Sequence, residues 1–200
     1  MNTRFGKLEN GKIVYAPKVI VDGKKRISTN DAKVYLRYGY KEIVYEQNPS
    51  SLSGIVYTSQ YVESDTTITI SWTEDLEGTR QYILDKIKSF DTSNAVNEFV
   101  INGIGMWLDG DTERPKLRGA VQAYLDKGLG DYPLCVEGVG VIPVAPTKLL
   151  SMLADIEVYA IKCFTKTFEH KEAVNALTTC EELANYDFTK GYPEKLHFEI

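Results

Sequence analysis

Residues Val96 to Asp109 read V-N-E-F-V-I-N-G-I-G-M-W-L-D, two short apolar runs parted by Asn102-Gly103. An Asn-Gly pair accepts the positive φ angles of a two-residue hairpin turn, so the stretch predicts a β-hairpin with Trp107 near the end of its second strand. Downstream, Arg114 to Lys127 carries Leu117, Val121, Tyr124 and Leu125 at helical spacing, with Gly128 placed to end a helix. Leu134-Cys135-Val136 and Val139 to Val144, turned by Glu137-Gly138, predict a second hairpin. Pro146-Thr147 then starts a long helix on which Leu149, Met152, Leu153, Ile156, Ala160, Cys163, Val174 and Leu177 share one broad stripe. Thr179-Cys180-Glu181-Glu182 fits a capping box opening a last short helix. For this order, hairpin, helix, hairpin, helix, the economical packing is a four-stranded antiparallel sheet covered by helices.

Upstream the pattern changes. Asn10-Gly11 and Asp22-Gly23 punctuate alternating runs at Lys12 to Tyr15 and Lys18 to Val21, which predicts tight hairpins. Ala32 to Tyr38 fits a short helix behind Ser28-Thr29-Asn30-Asp31 and before Gly39, and Tyr40 to Tyr45 returns to strand character. Gln47 to Ser51 reads as a loop, and Ile55-Val56-Tyr57 and Thr66 to Trp72 as two further strands. Glu74 to Phe90 is helical, with Leu76, Ile83 and Phe90 at sevens. Two heptads make either a short oligomerising stalk or a helix docked on its own domain. The expected fold class is therefore α+β. A small mostly-β domain spans 1–72, a connecting helix and linker span 73–94, and a hairpin-helix-hairpin-helix domain spans 95–200.

Composition sets the class. An apolar fraction of 43% and a charged fraction of 26% are ordinary for a globular chain. No apolar run approaches the ~18 residues that span a bilayer, and the first residues hold no hydrophobic signal core. No membrane partner and no secretion are expected. The net charge of −5 is uneven: residues 1–45 hold ten Lys/Arg against four Asp/Glu. A basic lobe of that kind can meet nucleic acid or an acidic protein, although only Lys24-Lys25-Arg26 clusters, at a turn. Thirteen tyrosines, seven of them before residue 62, favour protein contact, because tyrosine gives large amphipathic area at low entropy cost.

Motif-like fragments fail on mechanism. Gly6 to Lys12 fits G-x-x-x-x-G-K, but Ile13 stands where Ser or Thr must hold magnesium, and a strand follows instead of a helix. Asp109-Gly110-Asp111-Thr112-Glu113 starts like a calcium loop, yet Arg114 and Ala120 occupy the positions that need Gly and a bidentate Glu. A helix N-terminus accounts for those acids. Cys135, Cys163 and Cys180 form no C-x-x-C pair and read as structural thiols. His170 follows Cys163 by seven, two helical turns and ~10 Å away, too far for direct proton exchange. A buried helix histidine is the expectation for it. No catalytic, cofactor-binding or metal-binding residue is assigned, and no enzyme activity or cofactor is expected.

One resemblance narrows the setting. Phe99 to Gly103, Met106 to Asp109, Arg114 and Leu117-Arg118 resemble the start of a phage- and prophage-associated domain of unknown function. The likeness continues through Leu149 to Tyr159, His170, Ala173 to Leu177 and Thr179 to Leu183, and ends at Tyr186 to Thr189 and Gly191-Tyr192-Pro193. Phe5 to Leu8, Tyr15-Ala16-Pro17 and Gly39-Tyr40-Lys41 resemble small domains preceding that one in gut-bacterial prophage proteins. The resemblance implies a tail-associated virion or assembly protein working by protein-protein contacts. Its expected partners are other phage structural or tail proteins or a second copy in a homo-oligomer. Its place would be the host cytoplasm during assembly, or the virion. The alternative is a nucleic-acid-binding accessory protein using the basic N-terminal lobe.

Overall fold

Asn10 and Gly11 take φ angles of 51° and 73°, the left-handed pair that a two-residue hairpin turn demands. They join β1 (Arg4–Glu9) to β2 (Lys12–Tyr15). The computed structural model describes residues 4–49 and 54–200, so Ser50 and Ser51 of the expected loop lie outside the described residues. A second hairpin, β3 (Val19–Asp22) with β4 (Lys25–Ser28), turns at Gly23 and stands as its own two-stranded sheet. Asp31 caps α1 (Ala32–Arg37) by accepting from the Lys33 amide at 2.9 Å, and Gly39 at φ 75° lets the chain leave it.

The main sheet of this unit adds β5 (Lys41–Tyr45), β6 (Tyr57–Glu63) and β7 (Thr67–Glu74) in the order β2-β1-β5-β7-β6. It is mixed, because β5 and β7 run parallel while the other pairs are antiparallel. Ile43 pairs with Ile68, and both are buried together with Ile70 on one face. Phe5 lies on the opposite face, where its ring stacks on Tyr35 of α1 at 4.5 Å. The strand expected at Ile55 to Tyr57 begins instead at Tyr57 and continues through Ser59-Gln60. It is an edge strand whose residues beyond Tyr57 are exposed, so its sequence is too polar to announce itself. α2 (Leu76–Asp91) follows, its buried Thr79 hydroxyl accepting from the Val56 amide at 2.9 Å.

The chain forms two compact units, Met1–Tyr82 with Thr178–Asn185, and Ile83–Leu177 with Tyr186–Ile200. The crossing falls inside α2, within the segment expected to connect the domains. Residues 178–185 group with the first unit, although the sequence placed them in the second. They include α6 (Cys180–Ala184), where the Thr179 hydroxyl accepts from the Glu182 amide and the Glu182 carboxylate accepts from the Thr179 amide, a full capping box. Ile83 and Ile87 of α2 are buried, so its apolar stripe is used within the chain.

In the second unit Ser93 caps a single-turn helix, α3 (Asn94–Asn97), that buries Val96. β8 (Phe99–Ile101) and β9 (Ile104–Met106) form the expected hairpin, with Asn102 at φ 48° and Gly103 at φ 84°. α4 (Glu113–Lys127) ends on left-handed Gly128, where the Leu129 amide reaches back to the Tyr124 carbonyl. β10 (Tyr132–Val136) and β11 (Gly140–Val144) form the second hairpin, and α5 (Pro146–Ala176) starts on proline, which has no amide to leave unpaired.

The fold is α+β, but its four hairpin strands do not make one antiparallel sheet. β10-β11 stays two-stranded, while β8 takes a parallel partner, β12 (His197–Phe198), in the order β12-β8-β9. Two prolines supply the reason. Pro133 faces Pro143 across β10-β11. A facing pair without N–H groups sits at a non-hydrogen-bonded position, so the missing donors are the outward ones a third strand would need. Phe99, Ile101, Val121, Leu134, Leu149 and Leu153 form the heart of the core under these two sheets and helices.

Candidate functional site

α5 is apolar on two faces. Its inner face buries Leu149, Met152, Leu153, Ile156, Tyr159, Cys163 and Val174 in the core. Its outer face shows Val158, Ile161, Phe164 and Phe168 at exposures of 52%, 64%, 70% and 57%. Single exposed apolar residues are ordinary, but four spaced by three, three and four along one helix form a continuous stripe. In the sequence this stripe is masked by the core-forming stripe that shares the helix. The available signal was a helix apolar on more of its circumference than one packed face requires.

Beside the stripe lies a groove of about 270 Å³ lined in part by Trp107, Asp109, Gly110, Arg114, Tyr159 and Phe164. Trp107 is half-exposed, placed there by the exit of β9. Arg114 holds Glu157 of α5 through Nη1 at 3.2 Å, and its Nε is buried with no hydrogen-bond partner. The guanidinium lies over Gly110, where any Cβ would collide with it. A second hollow of about 340 Å³ is bounded by core side chains such as Met106, Leu117, Leu134 and Met152 and is apolar in character.

The carboxylates of Asp109 and Glu113 are spent on the start of α4. Asp109 Oδ1 accepts from the Thr112 hydroxyl and amide, both at 2.7 Å, and from the Asp111 amide at 3.1 Å. Those donors, the Thr112 hydroxyl foremost, hold the Asp109 carboxyl below its ordinary pKa. Glu113 returns the bond, accepting from the Asp109 amide at 2.7 Å. Gly6 and Lys12 of the phosphate-loop look-alike fall on the two strands of the β1-β2 hairpin, with no helix amides aimed between them.

His170 is buried and fully engaged. Nε2 lies 2.9 Å from the Lys190 carbonyl and Nδ1 lies 2.7 Å from the Tyr186 hydroxyl. A carbonyl only accepts, so Nε2 carries a proton and donates it to Lys190, while Nδ1 meets the Tyr186 hydroxyl. The ring also stacks on Tyr192 at 5.5 Å. Thr167, one turn earlier, donates to Asp91 at 2.7 Å and meets the Tyr192 hydroxyl at 2.9 Å. Phe90 packs edge-on against both Phe188 and Tyr192. His170 therefore fastens the 186–192 segment to α5.

Cys163 points its thiol at the Val96 carbonyl at 4.0 Å, and burial pushes its pKa up, away from nucleophilic thiolate character. Tyr159 is likewise raised, chiefly by burial. Cys180 is also buried, whereas Cys135 is exposed on β10. Among the described residues no cluster of three metal-ligating side chains occurs, and no helix is long and apolar enough to cross a membrane.

Compared with known proteins, the chain matches no family model, no curated protein and no solved structure.

Proposed function

We propose that this chain is a non-enzymatic protein-contact component, associated with a phage or prophage tail as a structural or assembly protein. The observation that carries the contact reading is the outer face of α5, where Val158, Ile161, Phe164 and Phe168 stand in solvent as one stripe. Leaving that much apolar surface hydrated is unfavourable, and burying it against another protein reverses the cost. Half-exposed Trp107 beside the groove adds the aromatic type most enriched at contact hot spots. The phage setting rests on the resemblance of the C-terminal residues alone.

The test is to induce a host carrying the gene and fractionate tails, assembly intermediates and free protein. The chain is expected in purified tails, which makes it a virion component, or only with intermediates, which makes it an assembly factor. Recovery with neither rules out the proposal. Binding of the purified chain to DNA or RNA that weakens steeply with salt would replace it with the accessory reading based on exposed Lys24, Lys25 and Arg26.

A further inference from the structure

We propose that the apolar hollow bounded by the two hairpins of the second unit is a binding site for a small uncharged hydrophobic molecule. It takes in the inner face of α5, so it is distinct from the outer stripe and does not depend on the tail association.

The space exists because one sheet does not form. Both hairpins line it, through Phe99 and Ile101 of β8, Met106 of β9 and Leu134 of β10. Strands joined in a single sheet stand about 4.8 Å apart and leave no room of this kind between them. Pro133, which has no N–H to offer a third strand, is part of the same lining. Leu117 of α4 and Met152 of α5 bound the remaining sides.

Size and dryness define what fits. Protein interiors close up until few voids exceed a water molecule, yet this one measures about 340 Å³. An apolar cavity of about 150 Å³ stays dry and takes up benzene, so this hollow accommodates a molecule of roughly ten to thirteen non-hydrogen atoms. Phe99, Ile101, Leu149, Met152 and Leu153 are buried beneath it, hydrocarbon but for one thioether. Water there would surrender hydrogen bonds and find none on those side chains.

The rim decides the charge of the ligand. Met106, Leu117 and Tyr132 are half-buried, and Glu113 and Lys116 are exposed, so the hollow opens to solvent beside the first turn of α4. Those last two are the charged residues of the lining, one acid and one base. Glu113 already accepts from the Asp109 amide at 2.7 Å. The pair favours neither sign of head group, and an ion carried inward would lose its hydration without gaining a partner. A neutral molecule, held by the apolar area it buries, is what this lining selects.

Isothermal titration of the full chain with 2-naphthol, a neutral molecule of that size, tests the site. One equivalent should bind with a Kd of about 10–100 µM, and 1-octanol should compete with it. Octanoate and octylammonium, the same chain with a charged head, should bind about tenfold more weakly. In the wild-type protein, 2-naphthol should move the amide resonances of Ile101, Met106 and Leu134 and leave those of Ile161, Phe164 and Phe168 in place. L117W and the milder L117F enlarge a half-buried side chain of the lining, and should weaken binding about tenfold with circular dichroism unchanged. F164E, on the outer stripe, should bind as the wild type does. No saturable binding at about 1 mM 2-naphthol overturns the proposal. So do resonance shifts confined to the outer face of α5, wild-type affinity in a folded L117W, loss of binding in F164E, or a charged octyl compound that binds more tightly than 1-octanol.

Discussion

The Tyr186 hydroxyl lies 2.7 Å from His170 Nδ1, and this bond spans sixteen positions to fasten a loop onto the C-terminal part of a long helix. Its strength comes from being one of two: the Lys190 carbonyl occupies the other ring nitrogen. Removing the ring orphans both groups. H170A is expected to destabilise the fold by about 2–4 kcal/mol, the range for a buried cavity with polar groups left unpaired. Y186F should cost about 1 kcal/mol, a single hydrogen bond. Urea unfolding of both variants and their double mutant should show non-additivity. Additive losses would mean that the two side chains act separately.

Thiol chemistry should sort the three cysteines by burial. Cys135 is exposed, while Cys163 and Cys180 are buried and the Cys163 thiol is raised by its surroundings. Ellman's reagent on the native protein should therefore titrate one thiol quickly and the others only on unfolding. C135S should abolish the fast phase. A fast phase that survives in that variant would place a second thiol in reach of solvent.

Asp187 sets a pH dependence near the fastened loop. Its carboxylate accepts from the Thr189 hydroxyl at 2.6 Å and pairs with Lys190 at 3.1 Å, which draws its pKa from 3.8 down to about 2. A folded pKa below the unfolded one means the contribution is present above about pH 4 and is lost as pH falls through about 2. Protection of the 186–192 amides should therefore drop across that window. In D187N the same window should be flat, and an unchanged pH profile in that variant would assign the effect elsewhere.

The capping box gives a local test. T179A removes the hydroxyl that accepts the Glu182 amide and should cost about 1 kcal/mol. T179S retains the acceptor and should restore most of the loss. Equal losses in the two variants would indicate that the methyl group, not the hydroxyl, matters at this site.

What could be read from sequence was local. Asn102-Gly103, Gly128 and the Thr179-Glu182 box are each decided within a few residues by backbone preference, and each stands where its residue type asks. The pairing of β12 with β8 is different. Two residues, His197 and Phe198, join Val100 and Ile101 across the whole second unit, and so short a strand leaves no periodicity to detect. The separation of the hairpins hung on one cross-strand match, Pro133 with Pro143, visible only once the register is known. α3 was hidden because Ser93 reads equally well as the end of α2 or the cap of a new turn. The outer stripe of α5 was in plain view, but sequence periodicity reports apolar faces without reporting which of them the fold covers.

The late pairings also order events during translation. The first unit incorporates residues 178–185, and the sheet of the second waits for His197 and Phe198. The segment that joins the first unit is made only after α5, which belongs to the second, so the usual order, an N-terminal domain finished before its successor emerges, does not hold here.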